Sequence, residues 1–64
     1  MSMPIVQITL WPGRDADTKR RIAEGITKVL EEQGIPREAV TIIFYEVPKD
    51  SWASGGVLHS DKFK

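Results

Sequence analysis

The sequence has no cysteine, which excludes disulfides and thiolate metal sites. Its single histidine, His59, excludes a histidine-rich metal centre. Charge of one sign is missing too: nine Lys and Arg balance nine Asp and Glu, for a formal net charge of zero. A nucleic-acid binder carries a basic excess or a basic stripe, and neither is present. Apolar runs fall far short of the ~18 residues that a membrane span needs. The N-terminus has no charged region leading into an apolar core, so no secretory signal is expected and a cytoplasmic location is. Length is scarce as well. The 64 residues allow one domain, over 1–64. A domain of that size buries only about 60% of the surface its unfolded chain exposes. Small folds lean on a disulfide, a metal or a partner. With disulfides and the common metal sites excluded, self-association is favoured.

What is present reads as strand, helix, strand. Over Pro4 to Trp11, Val6, Ile8 and Leu10 share one face and Gln7 and Thr9 the other, the period of a strand. Pro4 suits a strand's first residue, where no ladder donor is needed. Pro12-Gly13 then turns the chain. From about Asp15 to Gln33 the pattern is helical, with Asp15 as N-cap and Gly34 as the glycine past the C-terminus. Ile22, Ile26, Val29, Leu30 and Gln33 form one stripe facing a sheet. Glu24 and Lys28 are spaced as an i,i+4 ion pair. Gly25 costs the helix about 1 kcal/mol relative to alanine; it is either a tolerated cost or the mark of a close helix–sheet approach. Pro36 to Ala39 reads as a short helical turn with proline at its first position.

Val40 to Val47 reads as a second strand, apolar on both faces. A loop from Pro48 to Ser54 follows, then a Gly55-Gly56 turn and a short strand at Val57-Leu58. The expected fold class is α+β: a βαβ protomer with parallel strands, a right-handed crossover, and a short C-terminal strand or hairpin. Two strands and one helix leave a sheet face bare, and a two-stranded sheet does not stand alone in water. Ile43, Tyr45 and Val47 therefore call for another chain.

Several stretches together resemble the 4-oxalocrotonate tautomerase family. They are M-P-I-V-Q-I-T-L at Met3 to Leu10, Gly13-Arg14 followed by a polar helix start and Lys19, and I-I-F-Y-E-V-P-K-D at Ile42 to Asp50, with Trp52 and Gly55-Gly56 beyond. The resemblance runs from Met3 to about Lys62. It implies a tautomerase-like βαβ protomer in a homohexamer, a trimer of dimers in which each dimer shares a four-stranded sheet. It also implies enol–keto or 1,3-proton transfer on a small 2-hydroxydienoate or α-keto acid, with no metal and no organic cofactor. The family's base is the secondary amine of an N-terminal proline.

Four residues carry that resemblance into a site. Pro4 matches the catalytic proline; otherwise it is an ordinary strand-start proline. Arg14 resembles the family's carboxylate-binding arginine, and a guanidinium can pair bidentately with a carboxylate. Its plain alternative is a solvated loop residue. Trp52 matches an aromatic position lining the pocket, or else packs an oligomer interface. Thr41 stands where well-known members carry a second arginine, and offers one neutral hydrogen bond without charge. Arg37, four residues away, is a candidate substitute. The loss of that cation weakens the case for a dicarboxylate substrate.

Among the rest, Trp11 reads as packing, and Tyr45 and Phe44 as core and interface. His59 is a proton carrier by type but sits in the tail. Lys49, Asp50, Lys62 and Lys64 read as solvated.

Residues 1–3 form an extension ahead of Pro4. With it in place the Pro4 nitrogen is an amide and has no basicity, so catalysis requires a chain beginning at Pro4. That follows if translation starts at Met3 and the methionine is removed, or if the first two residues are artefactual. The competing expectation is a catalytically silent hexamer that binds a small carboxylate or serves a structural role. A weaker third is a relative using the same proline for hydration, dehalogenation or decarboxylation.

Overall fold

The computed structural model describes residues 3–63. Met1 and Ser2 of the extension, and Lys64, lie outside them. The element order is β1 (Ile5–Leu10), α1 (Ala16–Glu32), a 3₁₀ turn (Arg37–Ala39), β2 (Thr41–Glu46), a second 3₁₀ turn (Lys49–Ser51), β3 (Ala53–Ser54), β4 (Val57–Leu58) and α2 (His59–Lys62). β1 and β2 pair in parallel, from Ile5 opposite Thr41 to Leu10 opposite Glu46. The α+β class, the parallel pair and the C-terminal hairpin agree with the sequence reading.

The ends of α1 follow from local chemistry. The Asp15 carboxylate accepts from the Thr18 N–H at 2.8 Å, which satisfies one of the helix's orphan donors. That bond holds the Asp15 carboxyl below its usual pKa. At the other end Gly34, at φ +90°, lets its own N–H reach Glu31 O and the Ile35 N–H reach Leu30 O. These two bonds make a Schellman motif, and the left-handed glycine permits it. Pro36 differs from expectation. It caps the first 3₁₀ turn at ψ 137° instead of occupying its first position, because its carbonyl accepts the turn's first bond, from Ala39 N–H.

Val6, Ile8 and Leu10 face α1 and are half-buried, as are Ile42 and Phe44 of β2. Ile22, Ile26 and Leu30 meet them from the helix, but Val29 does not: it is 57% exposed, and Gln33 is the exposed C-cap. Two strands spaced about 4.8 Å apart are narrower than a helix with its side chains, so the stripe's margin overhangs an open groove. Val6, Gly25, Ile26 and Val29 line it. A Cβ on Gly25 would meet nothing within 4 Å, so close approach inside the protomer does not explain this glycine.

On the far sheet face Ile5, Ile43 and Tyr45 are 60%, 36% and 42% exposed; Val47, expected beside them, is half-buried. No described residue is buried. The radius of gyration is 15.1 Å, against about 11 Å for a compact chain of this length. Among the described residues, no helix is long and apolar enough to cross a membrane.

Candidate active site

Parallel pairing decides where the candidate residues fall. Pro4 leads into β1 and Thr41 opens β2, and the Thr41 N–H donates to the Pro4 carbonyl at 3.1 Å. These two are therefore neighbours. Arg14 follows the turn after β1, and Trp52 follows the second 3₁₀ turn after β2. Both belong to the opposite end of the sheet. A parallel strand advances about 3.3 Å per residue, so roughly 20 Å separates the ends. The four candidate residues fall into two groups at opposite ends of one protomer, not into one cluster.

Arg14 and Trp52 meet in a groove of about 410 Å³. Ile8, Leu10 and Ile22 give it an apolar floor, and Trp11 and His59 join its walls. Trp52 is firmly held. Its Nε1–H donates to the Val47 carbonyl at 2.9 Å. Its ring lies nearly parallel to the His59 imidazole, with centroids 5.4 Å apart at 21°. Its carbonyl accepts from His59 N–H at 2.9 Å. Gly55 and Gly56, at φ +60° and +83°, make the two-residue turn that folds β4 back on β3, a conformation other residues rarely adopt. That turn returns the tail to Trp52. His59 Nε2 and Ser54 Oγ then lie 2.8 Å apart, while His59 Nδ1 is shielded without a hydrogen-bond partner among the described residues. Trp11 and Phe63 pack edge-wise on the same imidazole at 5.7 and 5.3 Å.

The surrounding charges are mostly engaged. Lys49 was expected in solvent. Instead its Nζ lies 4.6 Å from the Trp11 ring centre and donates to the Phe63 carbonyl at 3.1 Å, because the returning tail brings both within reach. Lys19 pairs with Glu46 at 2.5 Å. The hydrogen bond from Lys19 holds the Glu46 carboxyl below its usual pKa, helped by the lysine's charge and the Gly13 N–H. That network ties the turn carrying Arg14 to the end of β2. Arg37 does not turn toward Thr41. Its Nη2 reaches both Glu24 carboxylate oxygens at 2.9 Å, and Nε lies 3.7 Å from Glu31. The Glu24 hydrogen bonds and charge raise its pKa. Glu24 thus pairs with Arg37 rather than with Lys28, since the 3₁₀ turn delivers a forked donor to it.

Sequence reasoning missed Trp11 and His59 as groove residues. Their only local signal was residue type, because the tail's return depends on a hairpin and not on a periodic pattern.

The family model for tautomerase enzymes matches residues 4–62. The 2-hydroxymuconate tautomerase of Comamonas testosteroni is 36% identical over 56 residues, covering 86% of this chain and 89% of its own. Among solved structures, TomN, a 4-oxalocrotonate tautomerase homologue of the tomaymycin biosynthetic pathway, superposes with a TM-score of 0.86 at 32% identity, covering 92% of each chain. A heterohexameric 4-oxalocrotonate tautomerase from Chloroflexus aurantiacus reaches a TM-score of 0.81 at 27% identity, covering 92% of this chain and 97% of its own.

Proposed function

The chain belongs to the tautomerase enzyme family, a family of isomerases, and on that premise we propose that it interconverts enol and keto forms of a small 2-hydroxydienoate or α-keto acid with Pro4 as the base. The observation that carries this reading is that the family match covers residues 4–62, so that it begins at Pro4 and leaves residues 1–3 outside it. A chain beginning at Pro4 presents a secondary amine. An α-amino group titrates near 7.7–8.0, closer to neutrality than a lysine. Apolar surroundings and a nearby cation lower it further, toward the range where a general base works best.

The proton accounting is simple. The amine takes the enol hydroxyl proton, and the O–H electron pair closes the carbonyl. The C=C π pair then takes the proton from the prolinium at carbon. Nothing is oxidised or reduced, and the amine is regenerated.

Pro4 and Arg14 lie at opposite ends of the sheet, so a complete site combines one protomer's Pro4 and Thr41 with a second protomer's Arg14 and Trp52. We place that site in a homohexamer. The bare Ile5, Ile43 and Tyr45 face and the lack of any buried described residue support assembly, as does the hexameric relative from Chloroflexus. A second reading, a silent carboxylate-binding hexamer, draws on Thr41 in place of a cation and on the engagement of Arg37 with Glu24.

The deciding experiment compares two forms of the protein, one carrying residues 1–3 and one beginning at Pro4, with intact mass confirming each. Only the second is expected to accelerate ketonisation of a dienol acid, and Pro4→Ala in that form is expected to abolish it. If the assembled Pro4 form is inactive, the silent hexamer takes over.

A further inference from the structure

The Trp52 indole is tied by one hydrogen bond, from Nε1–H to the Val47 carbonyl. A bond at one edge leaves the ring free to swing about that edge. The His59 imidazole closes off the swing: its centroid lies 5.4 Å from the indole's, at an interplanar angle of 21°. Rings set this way attract one another beyond the area they bury.

His59 is itself held on several sides. Its N–H donates to the Trp52 carbonyl at 2.9 Å, continuing the register of β3 and β4, in which Ala53 faces Leu58. Nε2 lies 2.8 Å from Ser54 Oγ. Trp11 and Phe63 meet the imidazole edge-wise at 5.7 and 5.3 Å. Lys49 fixes both of these rings, with Nζ over Trp11 and a bond to the Phe63 carbonyl. His59 thus joins the loop that carries Trp52 to the end of β1, which leads into Arg14. Its Nδ1 is shielded and has no partner among the described residues. An unpaired shielded nitrogen is a cost, and phenylalanine would pack here without it. What the imidazole adds is the Nε2 contact with Ser54, which sets the plane of the ring.

We infer that His59 is a positioning residue: its stack holds the Trp52 indole in the orientation that meets the substrate, and it takes no part in moving the proton. The inference rests on the tautomerase reading for the substrate and on the ring geometry for the rest. His59 belongs with Arg14 in the proposed division of the site and not with Pro4 of its own chain. It therefore governs binding and not the rate of chemistry.

The test uses the assembled protein beginning at Pro4, with circular dichroism and assembled mass checked for each variant. In ketonisation of a dienol acid, His59→Ala is expected to raise KM about tenfold, the effect of a lost ring stack, and to leave kcat within about twofold. His59→Phe keeps the ring and discards the unpaired nitrogen, so it is expected to restore KM to within about threefold. Ser54→Ala is expected to fall between the two. Ser54 does not line the groove and acts on Trp52 through His59, so this variant carries the comparison if His59→Ala fails to assemble. A KM unmoved by both His59→Ala and Ser54→Ala overturns the inference. So does a kcat that collapses in His59→Phe, which would make His59 a proton carrier. A second measurement needs no turnover. In a Trp11→Phe background Trp52 is the only tryptophan. Its time-resolved fluorescence anisotropy is expected to gain a fast local component with His59→Ala and not with His59→Phe, and an unchanged decay in both overturns the inference. If no form accelerates ketonisation while the anisotropy follows this pattern, the enzyme reading has failed and the hold of His59 on Trp52 stands.

Discussion

At the residue scale, the carboxylates make the clearest quantitative demand. Asp15 and Glu46 both hold folded-state pKa values below their ordinary ones, through the Thr18 N–H and the Lys19 ammonium respectively. A depressed carboxylate contributes stability that is present above its unfolded pKa and lost as pH falls through its folded one. The thermal midpoint should therefore decline in acid, starting below about pH 4. Lys19→Met removes the cause at Glu46 and should flatten that decline. An unchanged slope in this variant would show that the ion pair contributes nothing measurable. Arg37 teaches a different lesson about single residues. By position it was a candidate to replace the cation missing at Thr41, yet Glu24 and Glu31 claim it. Charges thirteen and six residues away carry no periodic signal toward Arg37, so the pairing was not legible. The Asp15 cap was, because its partner lies three residues on.

At the element scale, β1 and α1 were legible because each is periodic and bounded by residues with a local duty, Pro4, Asp15 and Gly34, and β2 because its run is β-branched or aromatic and apolar on both faces. Their observed bounds differ from the expected ones by about one residue, as helix and strand ends commonly do. The tail was read only as a glycine turn and a short strand. Helix α2 has four residues and no side-chain cap, too little pattern to announce itself. Yet it delivers His59 to Trp52. This is why half the groove's aromatic wall escaped the sequence reading while Arg14 and Trp52 did not. Gly25 supplies the prediction at this scale. Inside the protomer a Cβ there meets open space, so Gly25→Ala should stabilise α1 by about 1 kcal/mol. The expected result is a higher thermal midpoint at unchanged assembled mass. A smaller mass would instead mean that another copy fills the groove beside Val29 and needs the glycine.

At the scale of the whole molecule, the proposed assembly means that a protomer without a buried described residue draws its stability from its neighbours. Its unfolding midpoint should rise with protein concentration. Light scattering should return six times the 7.2 kDa protomer mass. The proposed division of the site gives a sharper test. Pro4→Ala and Arg14→Gln proteins, each beginning at residue 4, should be inactive alone. Co-refolded in equal amounts, they should recover activity in about a quarter of sites, because the two intact halves then meet across subunits. If each site drew both halves from one chain, every site would be defective and nothing would return.

The same separation of half-sites has a consequence in the history of genes. On the proposed division of the site, Pro4 and Arg14 sit at opposite ends of one short sheet, so a change that ruins one half does not remove a residue of the other. After duplication, one copy could shed its amine end and the other its arginine end, and the pair would still encode a working enzyme together. Mutual dependence between two such copies would then arise by simple loss, with no new function needed to hold both in the genome.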